Sequence, residues 1–325
     1  MIAALLLALL MQAPPAKQGP PAKQGPPTKE AQQRVPDRDA LLARAAESIQ
    51  RGNRAEAKQL LAAAGQQHQS VRAWLQLARL ESEDGRAADA VRALAAARTL
   101  APNAEEVLAS FAELSMRARA PVPAMLALES LTRMYPSEAR YAYLLGVALM
   151  TAGDMPAAID ALRKANTLEP DRPLTLLALG LVYNNQKMSG DARALLRRAL
   201  DLDPESLEAL AALAEASAGD GDIESAERDA TRALTRDPGN ATANLVIGMV
   251  RMAQQRYPEA RAALDAAAAA DPHSPKPDYQ LSLVYARMGD QASSERHLDR
   301  YRQKMRALQD AAKALRQAGS GGLHE

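Results

Sequence analysis

One interval runs through most of this chain. Pro102, Pro136, Pro170, Pro204, Pro238 and Pro272 each stand 34 residues from the next, and so do Ala90, Ala124, Ala158, Ala192, Ala226 and Ala260. A large apolar residue keeps the same interval at Leu77, Phe111, Leu145, Leu179, Leu213, Ile247 and Leu281. The position after it is always small: Ala78, Ala112, Gly146, Gly180, Ala214, Gly248 and Ser282. No insertion breaks this register. A fixed period of that length marks a stacked array, in which each unit buries its apolar face against its neighbours.

The columns have a physical reading. Two antiparallel helices approach closely only where one side chain is small, so Gly or Ala faces Ala, and Leu or Phe fills the holes beside them. Gly153-Asp154, Gly190-Asp191 and Gly221-Asp222 read as the turns inside successive pairs. There Gly takes the left-handed cap and Asp accepts from the free N–H groups of the next helix. The Pro column stops the second helix, because Pro cannot continue the hydrogen-bond ladder. Aromatic residues make up 3% of the chain while Ala and Leu dominate, which suits helix pairs and disfavours a β fold. A length of 325 residues alone would suggest two domains. The repeat overrides that count, since a solenoid grows as one quasi-linear body.

This order of large, small, small and Pro positions resembles the tetratricopeptide repeat family, over about Asp37 to Tyr301. The resemblance implies an all-α fold, a right-handed superhelical solenoid of antiparallel helix pairs with about eight repeats. Exported scaffold proteins of bacteria are its expected relatives. The shared columns are packing columns and do not name a ligand.

The chain divides by composition. Residues 1–13 read as a signal peptide, because Ile2 to Met11 is an unbroken apolar run too short to span a bilayer. The missing basic residue before it and Pro14 after it count against that reading. The run is also the expected membrane tether if it is not cleaved, and export to the periplasm or secretion is the expected localisation, with the cytoplasm as alternative. Residues 14–36 form a Pro-, Gly- and Lys-rich linker beginning PPAKQGPPAKQGPPTK, with no apolar side chain able to build a core. The solenoid occupies 37–318, ending in an extended capping helix, and 319–325 is a flexible tail.

Some units depart from the pattern. The first, with Leu41, Ala45, Gly52, Ala57, Leu61 and Ala64 on the columns, is one residue short. The unit from Glu105 to Glu138 has Arg119-Ala120-Pro121-Val122-Pro123 at its inner turn. The unit from Leu207 to Asn240 carries Ala230 where Leu is usual, and the most flexible joint is expected there. The last second helix has no Pro stop; Leu298, Tyr301, Met305, Leu308 and Leu315 give it an apolar stripe opposite Arg296, Arg300, Arg302, Lys304, Arg306 and Lys313.

Formal net charge is +1, without the basic excess of a nucleic-acid binder, so no nucleic-acid partner is expected. Cys is absent, which excludes disulfides, thiolate metal sites and a Cys nucleophile. There is no phosphate-binding loop, HExxH, GxSxG or dinucleotide fingerprint. His68, His273, His297 and His324 are scattered, none with a metal-binding partner at helical spacing. The Asn240-Ala241-Thr242 sequon reads as a helix cap. No catalytic residue, metal or cofactor is expected, and an enzyme would need convergent polar residues that these columns do not offer.

In the family the first helix of each unit lines the concave groove. Carried onto this chain, those positions give Tyr143, Val147 and Met150, then Leu177, Leu181, Asn184 and Asn185, then Met249 and Met252, as the partner-binding residues. Lys276, Tyr279, Gln280 and Leu283 follow in the last unit, whereas Leu207 to Asn240 offers only Glu208, Ala211, Ala212 and Glu215. Tyr143, Asn184 and Asn185 are the expected exposed contacts, and Leu144, Ala178 and Val246 are equally readable as core. Relatives that grip chaperone C-termini place Lys and Asn where Tyr143 and Val147 stand, so a co-chaperone role is disfavoured. The resemblance implies a non-catalytic scaffold that binds a protein or peptide segment in its groove. The alternative is a scaffold subunit of an envelope machine for polysaccharide or pilus export. Oligomeric state is left open.

Overall fold

The computed structural model describes residues 37–118 and 120–321, and side chains through Asp310. The apolar run at 2–11, the Pro-rich linker, Arg119 and the last four residues lie outside the described residues. Among the described residues every regular element is a helix, in eight consecutive pairs. They are α1 (Arg38–Gln50) and α2 (Arg54–His68), α3 (Val71–Glu83) and α4 (Ala87–Leu100), α5 (Glu105–Arg117) and α6 (Pro121–Met134), α7 (Ala139–Ala152) and α8 (Met155–Leu168). There follow α9 (Pro173–Asn185) and α10 (Ser189–Leu202), α11 (Leu207–Gly219) and α12 (Ile223–Arg236), α13 (Ala241–Ala253) and α14 (Tyr257–Ala270), α15 (Lys276–Arg287) and α16 (Gln291–Gly321). Each helix packs most extensively against its pair mate and less against the next pair, the arrangement of an all-α repeat solenoid. No described helix is long and apolar enough to cross a membrane.

The repeat columns explain the packing. Ala90, Ala124, Ala158, Ala192, Ala226 and Ala260 have no exposed surface. At the three positions where the small column is Gly, no side chain fits. A Cβ on Gly146 would lie 2.5 Å from Leu162, one on Gly180 2.5 Å from Leu196, and one on Gly248 2.5 Å from Leu264. Each second helix from α4 to α14 ends two residues before the Pro column, as the restriction on the residue preceding Pro requires.

The turn column holds one correction. Gly153 and Gly221 adopt the left-handed conformation, with φ 83° and 80°, and Asp154 and Asp222 cap the next helix by accepting from Ala157 N and Ser225 N. Gly190-Asp191 does not repeat this. Both lie inside α10, and the left-handed residue of that turn is Lys187, φ 60°, followed by Met188, whose side chain makes no cap bond. Position 187 is 34 residues after 153, so the packing register of the helices, rather than the nearest Gly, decides where the chain turns. Gln255, φ 61°, does the same one period after Gly221, before the uncapped Arg256.

The chain separates into two compact units, one ending at Met134 and one beginning at Tyr135. The division follows the pair with the Pro-rich inner turn, not the Leu207–Asn240 pair where sequence suggested the loosest joint. That pair packs densely instead: Leu210, Ala211, Ala214, Ala226, Ala230, Ala233, Val246 and Val250 form one buried cluster. Ala214 opposite Ala230 keeps the two helices close without a Leu.

In the N-terminal unit, Leu41, Ala45, Leu61, Ala64, Leu77 and Leu94 form the core, and Trp74 lies over Gly65, where a Cβ would meet the indole at 2.5 Å. The seam between α2 and α3 is ionic. Lys58, only 7% exposed, is paired with Glu81 at 2.9 Å and also with Asp84; Arg86 reaches Glu81 at 2.7 Å, and Arg54 reaches Glu83 and Asp84 at 3.0 and 2.7 Å.

In the C-terminal unit, α16 closes the array. Ser294 Oγ donates to Ser282 O at 2.8 Å, and Lys304 Nζ donates to Ser274 O at 3.0 Å. Asp278, 2% exposed, lies between His297 Nδ1 at 2.9 Å and Lys304 Nζ at 2.6 Å, while Tyr285 stacks on the His297 ring. Burial works to raise the Asp278 carboxyl, but Lys304 and His297 outweigh it and hold it below the ordinary carboxylate range.

Candidate functional site: a groove on the first helices of the C-terminal unit

The first helices of the C-terminal unit, α7, α9, α11, α13 and α15, present a run of cavities. One, of about 190 Å³, is lined by Met150, Leu181, Asn185, Glu215, Leu245 and Lys276, among others. A second, of about 530 Å³, shares Asn185, Glu215, Leu245 and Lys276 with it and adds Asn184, Lys187, Met249, Tyr279, Gln280 and Tyr301. A third, of about 350 Å³, lies one helical turn farther along α13 and α15, between Met252, Gln255, Tyr257, Leu283 and Arg287.

The structure sorts the residues expected to bind a partner. Met150, Leu181, Asn184, Asn185, Met249 and Met252 line these cavities. Tyr143, Val147 and Leu177 line none of them and are 0%, 1% and 3% exposed. Tyr143 was expected to be an exposed contact, and that expectation is corrected. Its ring is packed with the Arg172 guanidinium 5.7 Å from the centroid, and its hydroxyl has no hydrogen-bond partner among the described residues. Burial raises its phenol well above the ordinary value, with Arg172 pulling weakly the other way. It is a core residue. Ala178 and Val246 are likewise fully buried, while Leu144 is half-buried.

The two amides differ. Asn184 Nδ2 donates to Ala212 O at 2.8 Å, tying α9 to α11, and this bond orients its Oδ1 as a buried acceptor without a partner. Asn185 is exposed. Gln280 Oε1, on the wall of the largest of these cavities, is a second buried acceptor without a partner.

Sequence reasoning missed the pair that crosses the groove. Glu215 of α11 and Lys276 of α15 form an ion pair over Leu245, although 61 residues separate them. Glu215 had been counted among the sparse residues of a weak unit, and no local spacing signals such a bond. A further cavity lies wholly in the N-terminal unit, about 250 Å³, with Leu75 and Leu114 among its lining and Arg72, Arg79, Glu106 and Glu113 around them. No group of His, Asp and Glu side chains suited to a metal ion converges among the described residues.

Comparison with known proteins agrees with this architecture. Tetratricopeptide-repeat family models match residues 124–173, 175–206 and 218–275. A search of curated proteins gives no match. Among solved structures, a tetratricopeptide repeat protein from Parabacteroides merdae is similar with a TM-score of 0.61 at 14% identity, over 76% of this chain and 98% of that one. The Cut9–Hcn1 hetero-tetramer of APC/C is similar at 0.57 and 17% identity, over 76% of this chain and 46% of that one. The pilF protein of Pseudomonas aeruginosa is similar at 0.53 and 18% identity, over 63% of this chain and 94% of that one. Tetratricopeptide repeats are thus matched within residues 124–275, and the repeat columns, buried as packing residues in eight consecutive helix pairs, carry the same repeat-solenoid fold through the described residues.

Proposed function

We propose that this protein is a non-catalytic scaffold that binds a segment of a partner protein in the groove of the C-terminal unit. The observation that carries the reading is the run of cavities along α9, α11, α13 and α15, apolar on the floor and amide-bearing at one end. Concave sites with apolar walls and a few convergent polar groups are where binding concentrates. Proteins of this family bind protein partners, which supports the same reading. A photo-crosslinking residue placed at Asn185 or at Leu283 tests it in cells of the source organism. Both positions should capture one and the same protein, and exposed Arg197 on α10 should not. Equal capture from all three positions, or none from the groove, ends the proposal.

A second reading places the scaffold in an envelope machine for pilus or polysaccharide export. A fold-level likeness to PilW, a type IV pilus biogenesis factor, with a TM-score of 0.50 at 15% identity, and the apolar run at Ile2 to Met11 support it. A reporter fused after residue 36 that is active only outside the cytoplasm should score positive. A reporter that stays inside excludes this role and leaves the scaffold reading standing.

A further inference from the structure

The second and third cavities, which share no lining residue, follow one another along the furrow between α13 and α15, and the second is bounded also by α9, α11 and Tyr301 of α16. Along α13 its wall is Leu245, Met249 and Met252, at positions i, i+4 and i+7; along α15 it runs from Lys276 through Tyr279 and Leu283 to Arg287. The furrow therefore follows the helix axes, and the 12 residues of α15 make it about 18 Å long. Tyr279 is 42% exposed and Leu283 36%, unusual for large apolar side chains in a repeat whose other first-helix apolar residues are mostly buried.

Two features specify what fits. First, the walls are helices whose backbone groups are already bonded, and the side-chain amides, Asn184, Asn185 and Gln280, gather at one end. An extended segment would lay its own N–H and C=O groups against Met252 and Leu283 with no partners, whereas a helix satisfies them internally. Second, the furrow is cationic at both ends. Lys187 lines one end and Arg287 the other; both are exposed, and neither forms an ion pair with a described residue. The one acidic side chain lining the two cavities, Glu215, is already held by Lys276. Lys187 keeps a left-handed backbone where Gly153 and Gly221 occupy the equivalent turns, and Gln255 does so at the mouth of the third cavity. Gln69 and Asp171, away from the furrow, share this conformation, so it places the two side chains at the furrow without singling them out.

We infer that the furrow between α13 and α15 receives an acidic amphipathic helix of about three turns, its apolar stripe on Met249, Met252, Tyr279 and Leu283 and its carboxylates toward Lys187 and Arg287. The inference rests on the scaffold reading and narrows it to one kind of partner. A second copy of this chain offering α16 is the wrong sign, since that helix carries Arg296, Arg300, Arg302 and Arg306.

The test uses the full chain and three labelled 14-residue peptides read by fluorescence anisotropy. One has Leu at positions i, i+4, i+7 and i+11 with Glu on the remaining face. The second replaces every Glu by Lys. The third is the acidic peptide interrupted by a central Pro. The acidic helix should bind saturably and weaken with added salt, the Pro-interrupted form should bind at least tenfold more weakly, and the Lys form should not bind. Lys187→Glu with Arg287→Glu should lower the affinity for the acidic helix at least tenfold, while Arg197→Glu leaves it unchanged, with equal helicity in all variants. Equal binding of the acidic and Pro-interrupted peptides overturns the helix. Binding of the Lys peptide, or indifference to the double charge reversal, overturns the charge assignment. Capture of a partner at Asn185 and Leu283 without any acidic-helix binding overturns this inference alone and leaves the scaffold reading intact.

Discussion

The two units of this chain hold neighbouring helices together differently. In the N-terminal unit, where each helix also packs most against its pair mate, one seam between pairs carries extra ties: Gly65 of α2 admits Trp74 of α3, and the Lys58, Arg54, Glu81 and Asp84 cluster stitches the same seam. In the C-terminal unit, the close contacts of Gly fall within pairs, at Gly146, Gly180 and Gly248 against Leu162, Leu196 and Leu264, and its buried carboxylates, Asp229 and Asp278, find their cations within their own helix pair. In both units the surface between first helices bears cavities. Where charges bind one pair to the next, stability depends on keeping buried ions matched.

The sharpest way to break the comparison is to open a cavity in a locked pair. Leu196 is fully buried against Gly180, so Leu196→Ala should cost about 2–5 kcal/mol. Hydrogen exchange should show the loss in α9 and α10 and leave α2 and α3 unchanged. A uniform loss across both units would mean that they do not respond separately.

Next comes the ionic seam. Lys58→Ala leaves Glu81, 8% exposed, to Arg86 alone, and breaking a buried pair in this way should cost about 3 kcal/mol. The loss should appear in α2 and α3. The acidic side of both ionic sites has a defined sign. Asp84 and Asp278 are held below their ordinary values, Asp84 chiefly by Lys58 and Asp278 by Lys304 and His297 against its burial. A depressed folded-state pKa contributes stability above the unfolded value, near pH 4, which is lost as pH falls through the folded value. Acid melts of Asp278→Asn should therefore show a shallower decline below about pH 4 than the parent. An unchanged slope would remove Asp278 as a source of acid sensitivity.

A smaller effect tests the close contact directly. Gly180→Ala drives a Cβ to 2.5 Å from Leu196 and should destabilise by about 1–3 kcal/mol. The smallest is a gain: Lys187→Gly relieves a left-handed backbone and should stabilise by about 1 kcal/mol in thermal melts. A loss there would show that the Lys187 side chain supports the fold.

Much of this architecture was legible beforehand. The Pro and Ala columns located the helix pairs because they record steric limits that act within one repeat. The turn at Lys187 was not legible, since nothing in Lys favours the left-handed region and a Gly three residues later offered a false signal. Tyr143 was misjudged for a related reason: a position number assigns a helix face, but how deeply that face is buried depends on neighbouring chain such as Arg172. His297 looked isolated because its carboxylate lies on another helix, 19 residues earlier. Glu215 and Lys276 meet over a longer separation still. Contacts of that range leave no periodic trace.

The unequal contact within and between pairs also governs how the protein yields to load. Under tension applied along the chain, a pair that is tighter inside than at its seams should detach whole and then unravel. Each event would release 34 residues, roughly 120 Å of contour at full extension. The chain would lengthen in even steps, set by the same interval that spaces its prolines.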